Sequence, residues 1–181
     1  MELNRRRLLT GISATIIAAP SIVRATPSGV VGANRLWVIR AFDGERLDAP
    51  IRLRTAEGTR NARMLWSHYW RDVKDDDQAV WIDMRLLDRL SAIQVETSRQ
   101  QGEETPIILN SGYRTPERNA TIEGAAPNSE HVKGTAADFR LRGVRPSATA
   151  NLIDSHRVWG DGGLGRYDGF THLDTARRRR W

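Results

Sequence analysis

The chain has 181 residues, a formal net charge of +6 and no cysteine. The absence of cysteine excludes disulfide bonds, thiolate zinc sites and cysteine nucleophiles, so any bound metal must use histidine and carboxylate side chains. The length is typical of one domain.

The first predicted element is a signal peptide at residues 1–25. Three consecutive arginines, Arg5 to Arg7, are followed by a mildly apolar run and by a small residue at Ala25. This pattern is typical of a twin-arginine signal, which predicts export to the periplasm through the twin-arginine translocase. Gly11 and Pro20 interrupt the apolar run, so we expect no permanent membrane anchor. The alternative, a basic tail before a core helix, gives Pro20 and Ala25 no role.

Residues 26–34 are predicted to be a short linker and residues 35–181 a single domain. Removal of residues 1–25 takes away four arginines and one glutamate, which lowers the net charge from +6 to +3. That mild excess gives no indication of nucleic-acid binding.

The first half of the domain predicts two strands, two helices and a buried strand, in that order. Residues 35–42 and 49–54 form a predicted hairpin, joined by a loop that opens with Asp43-Gly44. Helices are predicted over 60–71 and from an Asp83 cap to Gly102, and a strand over 106–111.

The second half predicts short elements around possible functional residues. Thr115 with Pro116 opens a short helix that Gly124 closes. Strands are predicted over 135–141 and 170–174, with a helix over 147–158 between them. Since strands and helices do not alternate regularly, we expect an α+β domain in which helices flank a small antiparallel sheet that carries the site.

A candidate metal site lies in these two late strands. Two imidazoles and one carboxylate, from His131, Asp138 and His172, could bind one zinc ion and leave a fourth position open, as a catalytic zinc requires. Gly134 predicts a turn that returns the chain past His131. Strand alternation places Phe170, His172 and Asp174 on one face.

Histidines in strands are more often hydrogen-bonded structural residues than metal ligands. Two features favour the metal site here. Small residues separate His131 from Asp138, and His172 stands two positions before an acid.

Four separated motifs carry a resemblance to a known family. They are Ser129-x-His131-x6-Asp138 with the later His172, Ser111-Gly112-Tyr113-Arg114-Thr115-Pro116 followed by Asn119, Gly162-Gly163-Leu164-Gly165-Arg166-Tyr167, and Arg180-Trp181. Over residues 36–181 the chain resembles the zinc peptidases typified by D-alanyl-D-alanine carboxypeptidases, which belong with the lysostaphin-type enzymes and hedgehog domains. It is most similar to the branch that contains the MepK murein endopeptidases.

The resemblance implies one zinc ion per chain, bound by His131, Asp138 and His172, and peptidoglycan stem peptides as the substrate. Arg114 is the predicted substrate clamp or oxyanion donor, and a structural ion pair is its alternative. Ser129 is expected to contact substrate or support the ligand loop. Tyr113 and Asn119 are weaker substrate-binding candidates.

The general base is harder to assign from the sequence. The carboxypeptidase branch has an acid three residues before the last histidine, where this chain has Gly169. Asp174 is the predicted replacement because it shares a strand face with His172, and Asp168 is the reserve. Asp174 could instead be the acceptor that orients His172.

The predicted function is that of a zinc-dependent murein endopeptidase, a hydrolase that cuts peptide cross-links during cell-wall remodelling. Two alternatives stay open. One is a D-alanyl-D-alanine carboxypeptidase that trims stem peptides, against which Gly169 argues. The other is a catalytically silent, zinc-containing domain that only binds peptidoglycan.

Overall fold

A computed structural model describes residues 34–156 and 161–181. The predicted signal peptide, nearly all of the linker and the last residues of the predicted 147–158 helix lie outside these ranges. Within the described ranges, no helix is long and apolar enough to cross a membrane.

The described residues form seven strands in one sheet. The strands are β1 (Arg35–Arg40), β2 (Arg46–Pro50), β3 (Ile107–Ser111), β4 (Ala136–Leu141), β5 (Gly163–Arg166), β6 (Thr171–Asp174) and β7 (Arg179–Arg180). Their order across the sheet is β2-β1-β3-β4-β6-β5-β7. Most neighbours are antiparallel, while β1–β3 and β5–β7 are parallel. With its helices, the sheet confirms the predicted α+β class.

Four helices accompany the sheet, namely α1 (Ala56–Tyr69), α2 (Met84–Gln101), α3 (Pro116–Ala120) and α4 (Pro146–Ser155). The ends of α2 are confirmed, because Asp83 caps its first turn and Gly102 ends it in the left-handed region at φ +73°. Helix α1 begins four residues before the prediction. The Thr55 hydroxyl provides the cap by accepting a hydrogen bond from the Gly58 amide at 3.0 Å.

The predicted position of the second strand is wrong. The chain turns straight after β1, where the Gly44 amide donates to the Arg40 carbonyl at 2.9 Å and Gly44 has φ +75°. Strand β2 therefore starts at Arg46 rather than at residue 49, with Leu47 opposite Val38.

The core lies between the sheet and helices α1, α2 and α4. Helix α2 packs against β1 and β4, and α4 packs against β4, β5 and β6. The core includes large side chains that are less than 2 % exposed: Trp66, Trp70, Phe139, Leu36, Ile51, Ile82 and Leu86. This packing holds β4 in the middle of the sheet, where it carries the central residue of the site.

Candidate metal centre

The pairing of β4 with β6 builds the candidate site. In this antiparallel pair, Asp138 lies directly opposite His172. His131 comes from a single 3₁₀ turn, Glu130–Lys133, which ends at Gly134 with φ +69°. The predicted turn at Gly134 is therefore confirmed. It carries the chain from His131 straight into β4.

The three predicted ligands converge. Asp138 Oδ1 lies 2.8 Å from His172 Nδ1 and 3.2 Å from His131 Nε2, and the two histidine nitrogens are 3.3 Å apart. Tetrahedral ligands about 2.1 Å from one zinc ion stand about 3.4 Å from each other, close to these separations. All three side chains are buried. Among the described residues they are the one group of histidine and acidic side chains placed to hold a metal.

Hydrogen bonds on the outer side of each imidazole fix which nitrogen faces the metal position. His131 Nδ1 is 2.7 Å from the Gly112 carbonyl, an acceptor that requires a proton on that nitrogen. His172 Nε2 is 3.0 Å from Asp174 Oδ2. With those protons in place, the nitrogens that face Asp138, which are Nε2 of His131 and Nδ1 of His172, would offer their lone pairs to a bound ion. This arrangement matches the outer hydrogen bonds of metal-binding histidines.

The third ligand is oriented by Arg114. Its Nη2 donates to Asp138 Oδ2 at 2.6 Å and its Nε donates to the Ser111 hydroxyl at 2.9 Å. Asp138 thus turns one oxygen to Arg114 and the other to the histidines. Burial raises the pKa of Asp138, but the close contacts with the imidazoles of His131 and His172, together with their positive charge when protonated, outweigh burial and hold that pKa well below its usual range. The carboxylate is therefore ionised, as a metal ligand must be.

Asp174 is fully buried and its acceptor positions are occupied. Oδ1 accepts from the Gly163 amide at 3.0 Å and the Ala176 amide at 2.9 Å, and Oδ2 accepts from Arg179 Nη2 at 2.7 Å. Burial raises its pKa, but these bonds and the one from His172 lower it to about 2. The carboxylate faces the outer nitrogen of His172. This geometry favours the orienting role of Asp174 over proton transfer.

The glycines of the Gly-Gly-x-Gly run make room for two functional neighbours. A Cβ atom at Gly163 would lie 2.2 Å from Asp174 Oδ2, and one at Gly165 would lie 2.8 Å from the Trp181 ring. Both separations are too short for real atoms. Strand β5 therefore needs glycine at these positions so that Asp174 and Trp181 can approach its backbone.

Two adjoining cavities open at the centre. The larger, about 600 Å³, is lined by all three predicted ligands, by residues of the 122–130 loop and by Tyr167, Phe170 and Trp181. The smaller, about 260 Å³, meets it at Arg114, Asp138 and Phe170. Together they form a groove that extends beyond the metal position.

The other predicted site residues fall in different places. The Ser129 hydroxyl accepts from the His131 amide at 3.3 Å, so it supports the ligand turn. Tyr113 is buried and lines the smaller cavity. Asn119 lines neither cavity, and its Nδ2 donates to the Ala126 carbonyl at 2.9 Å, which holds the 122–130 loop. Asp168 is exposed on the turn between β5 and β6.

Several wall residues were not predicted as site residues. Trp181 lies against His172 with ring centroids 5.2 Å apart and donates from Nε1 to the Tyr167 hydroxyl at 2.8 Å. Tyr167 and Phe170 stack with ring centroids 4.5 Å apart, and Glu123 also lines the larger cavity. The Arg180-Trp181 motif could have indicated Trp181 as a site residue, whereas no local sequence pattern indicated Glu123.

An α+β fold with a buried His-Asp-His group in an open groove fits the class of metal-dependent peptidases. The chain belongs to the peptidase M15 family, whose profile matches residues 71–174. That match spans β3, β4, β6 and all three predicted ligands.

Two curated relatives cover the chain almost completely. It is 31 % identical over 190 residues to the probable peptidoglycan L,D-endopeptidase MepK of Haemophilus influenzae, with 100 % of this chain and 97 % of the relative covered. It is 29 % identical over 192 residues to the peptidoglycan L,D-endopeptidase MepK of Escherichia coli K12, with 99 % and 98 % covered. No solved structure matches the chain. The predicted resemblance to the MepK branch is confirmed.

Proposed function

We propose that this chain is a zinc-dependent murein endopeptidase that hydrolyses peptide cross-links of peptidoglycan in the cell envelope. The observation that carries the proposal is the His131–Asp138–His172 centre, which lines the larger cavity and reaches the smaller one through Asp138. An endopeptidase must hold peptide on both sides of the bond that it cuts, and this groove offers room on both sides. Membership of the peptidase M15 family and the names of the two relatives support the same reaction class.

His131, Asp138 and His172 would hold one zinc ion per chain, because two imidazoles and a carboxylate suit this borderline metal. When bound, zinc supplies Lewis acidity, which lowers the pKa of a water ligand and polarises a carbonyl group. The protein contributes the fixed tautomers of both histidines and an ionised Asp138.

Arg114 combines the two roles that the sequence left as alternatives. Nη2 and Nε are engaged by Asp138 and Ser111, whereas Nη1 has no acceptor among the described residues. Arg114 lines both cavities. Its free N–H groups would donate to the substrate carbonyl oxygen as negative charge develops there, or to a peptide carboxylate. Tyr113 and Ser129 act indirectly, by shaping the smaller cavity and the ligand turn.

Proton transfer to the leaving amine needs an acid that reaches the groove. We assign Asp174 to the orientation of His172, which leaves Asp168 as the candidate from the sequence. Asp168 lies between Tyr167 and Phe170, two residues of the cavity wall. Glu123, in the 122–130 loop, lines the larger cavity itself. Parallel Asp168→Asn and Glu123→Gln variants, measured for turnover with zinc bound, separate the two.

The two alternative functions differ from the proposal in their products. A D-alanyl-D-alanine carboxypeptidase removes one terminal residue and has no use for a groove beyond the metal position. The carboxypeptidase branch also has an acid three residues before the last histidine, and this chain has Gly169 at that position. A silent binding domain would bind peptidoglycan and release nothing.

Digestion of purified cell wall tests these functions directly. The zinc-loaded protein is expected to release soluble peptides, and a chelator is expected to stop that release. Mass spectrometry of digested muropeptides should show cross-linked dimers converted to monomers. Loss of terminal D-alanine alone would indicate the carboxypeptidase. Tight binding without any release would indicate the silent domain.

We also propose export of the folded chain to the periplasm by the twin-arginine translocase, with cleavage after Ala25. Changing Arg5 and Arg6 to lysine is expected to leave the precursor in the cytoplasm, because that machinery reads the arginine pair. Fractionation and immunoblotting measure the distribution, and Arg24→Lys is the matched control. Normal export of the Arg5/Arg6 variant would indicate the general secretory route instead.

A further inference from the structure

The smaller cavity has a chemistry of its own. It is bounded by the β1–β2 turn, the segment after α1 and the end of β3, and it joins the metal cavity at Arg114, Asp138 and Phe170. Its volume of about 260 Å³ lies below the range of cavities that enclose a drug-sized ligand. It would therefore accept one residue or one side-chain group of a longer substrate.

Five basic side chains line this cavity, and four of them are neutralised by carboxylates. The pairs are Arg40 with Asp43 and Glu45, Arg71 with Asp77 and Glu45, Arg114 with Asp138, and Arg118 with Asp72. These pairs lie within 2.6 to 3.3 Å. Because five carboxylates pair with these four arginines, the pairs leave no net positive charge.

Lys74 is the fifth cation and differs from the rest. In the part of the chain that the structure describes, no carboxylate lies within 4.0 Å of its ammonium group. Nζ stands 4.8 Å from the centre of the Phe42 ring, and Phe42 is 63 % exposed. A cation–π contact of this kind positions an ammonium group without occupying its three hydrogen-bond donors. Lys74 is exposed and lines the cavity, so it offers the cavity a positive charge whose three hydrogen-bond donors are not occupied by carboxylates of the described residues.

We propose that this cavity binds a free carboxylate of the substrate, with Lys74 as its counter-ion. The proposal rests on the murein endopeptidase function and deepens it. Two peptides can be joined through the side-chain amine of a diamino dicarboxylic acid. The carbon that bears the linked nitrogen then also carries a carboxylate. Such a substrate brings negative charge next to the scissile bond. The cavity then takes the leaving-amine side of the substrate, and the larger cavity takes the acyl side.

The test compares two cross-linked peptides that differ only in whether this carboxylate is free or amidated. For the zinc-loaded wild-type enzyme, amidation is expected to lower kcat/KM by about 10- to 100-fold, the value of one hydrogen-bonded charge pair. The Lys74→Gln variant is expected to cut both peptides at the rate at which the wild type cuts the amidated peptide. The Lys74→Arg variant should again prefer the peptide with the free carboxylate, as the wild type does. Because the interaction binds the substrate in its ground state, the loss should appear mainly in KM.

A binding measurement removes the dependence on turnover. Uncleavable versions of both peptides, with the scissile amide replaced by a methylene-amine, are titrated into zinc-loaded protein by calorimetry. The ratio of the two Kd values should be about 10 to 100 for the wild type and close to one for Lys74→Gln. Arg60→Gln, which removes an exposed charge on α1 outside both cavities, should keep the wild-type ratio.

Equal Kd values for the two peptides in the wild type, or an unchanged ratio in Lys74→Gln, would overturn the carboxylate subsite. Failure of the wild type to cut either peptide would count against the endopeptidase function instead. The calorimetric ratio would still decide the role of Lys74 in that case.

Discussion

His131→Ala is expected to abolish chelator-sensitive hydrolysis while the domain stays folded. The change removes one of three metal donors and leaves Asp138 and His172 as an incomplete pair. Since Lewis-acid stabilisation is worth several kcal/mol, the loss of kcat/KM should reach about 1,000-fold or more. The bulk of the core lies in other elements, so the far-ultraviolet circular dichroism spectrum should be unchanged.

The measurements are zinc content by elemental mass spectrometry and peptide release from cell wall. His68→Ala is the matched control, because His68 is exposed in the last turn of α1 and lines neither cavity. It should keep both zinc and activity. Full activity in His131→Ala would refute the metal centre.

Asp174→Asn is expected to act on metal affinity before it acts on turnover. Asparagine can still accept the amide hydrogens of Gly163 and Ala176, but it loses the negative charge that holds the proton on His172 Nε2. Loss of such an outer partner typically costs 10- to 100-fold in metal affinity or activity. We expect the zinc Kd to rise by about that factor and excess zinc to restore hydrolysis.

Competition with a chromogenic chelator measures the zinc Kd of each variant. Asp88→Asn, which removes an exposed carboxylate paired with Arg52, should bind zinc as the wild type does. If Asp174→Asn keeps its zinc but its turnover falls by about 100- to 10,000-fold, Asp174 is the general base.

Local patterns in the sequence were sufficient for the ligand-bearing elements. Strand β4 and helix α2 follow from apolar periodicity and caps, and the turn at Gly134 follows from glycine's access to positive φ. Strand β4, helix α2 and the Gly134 turn depend on residues within a few positions of each other, where propensity and periodicity carry most of the information. The convergence of His131 and Asp138 with His172, which is 34 residues from Asp138, was predicted instead from the motifs that resemble a known family.

What the sequence did not predict depends on distant partners. Strand β5 contains Gly163 and Gly165, which break any period-two pattern, and its glycines are explained only once Asp174 and Trp181 lie against them. The sequence left two roles open for Asp174, and the choice between them likewise depends on a distant partner, the Gly163 amide eleven residues away. The position of β2 was missed although Arg46 to Ala49 alternate polar and apolar residues, because the strand is short and contains Asp48 and Pro50, which are poor strand formers.

Asp138 and His172 are cross-strand partners, so metal binding at this centre depends on the alignment of β4 with β6. A slip of one residue in β6 would turn His172 and Asp174 to the opposite face and move Thr171 or Leu173 into the site. No partly aligned form could then bind the ion with three ligands. Zinc would therefore stabilise the correct alignment selectively, and the loaded protein should exchange the amide hydrogens of these two strands more slowly than the metal-free protein.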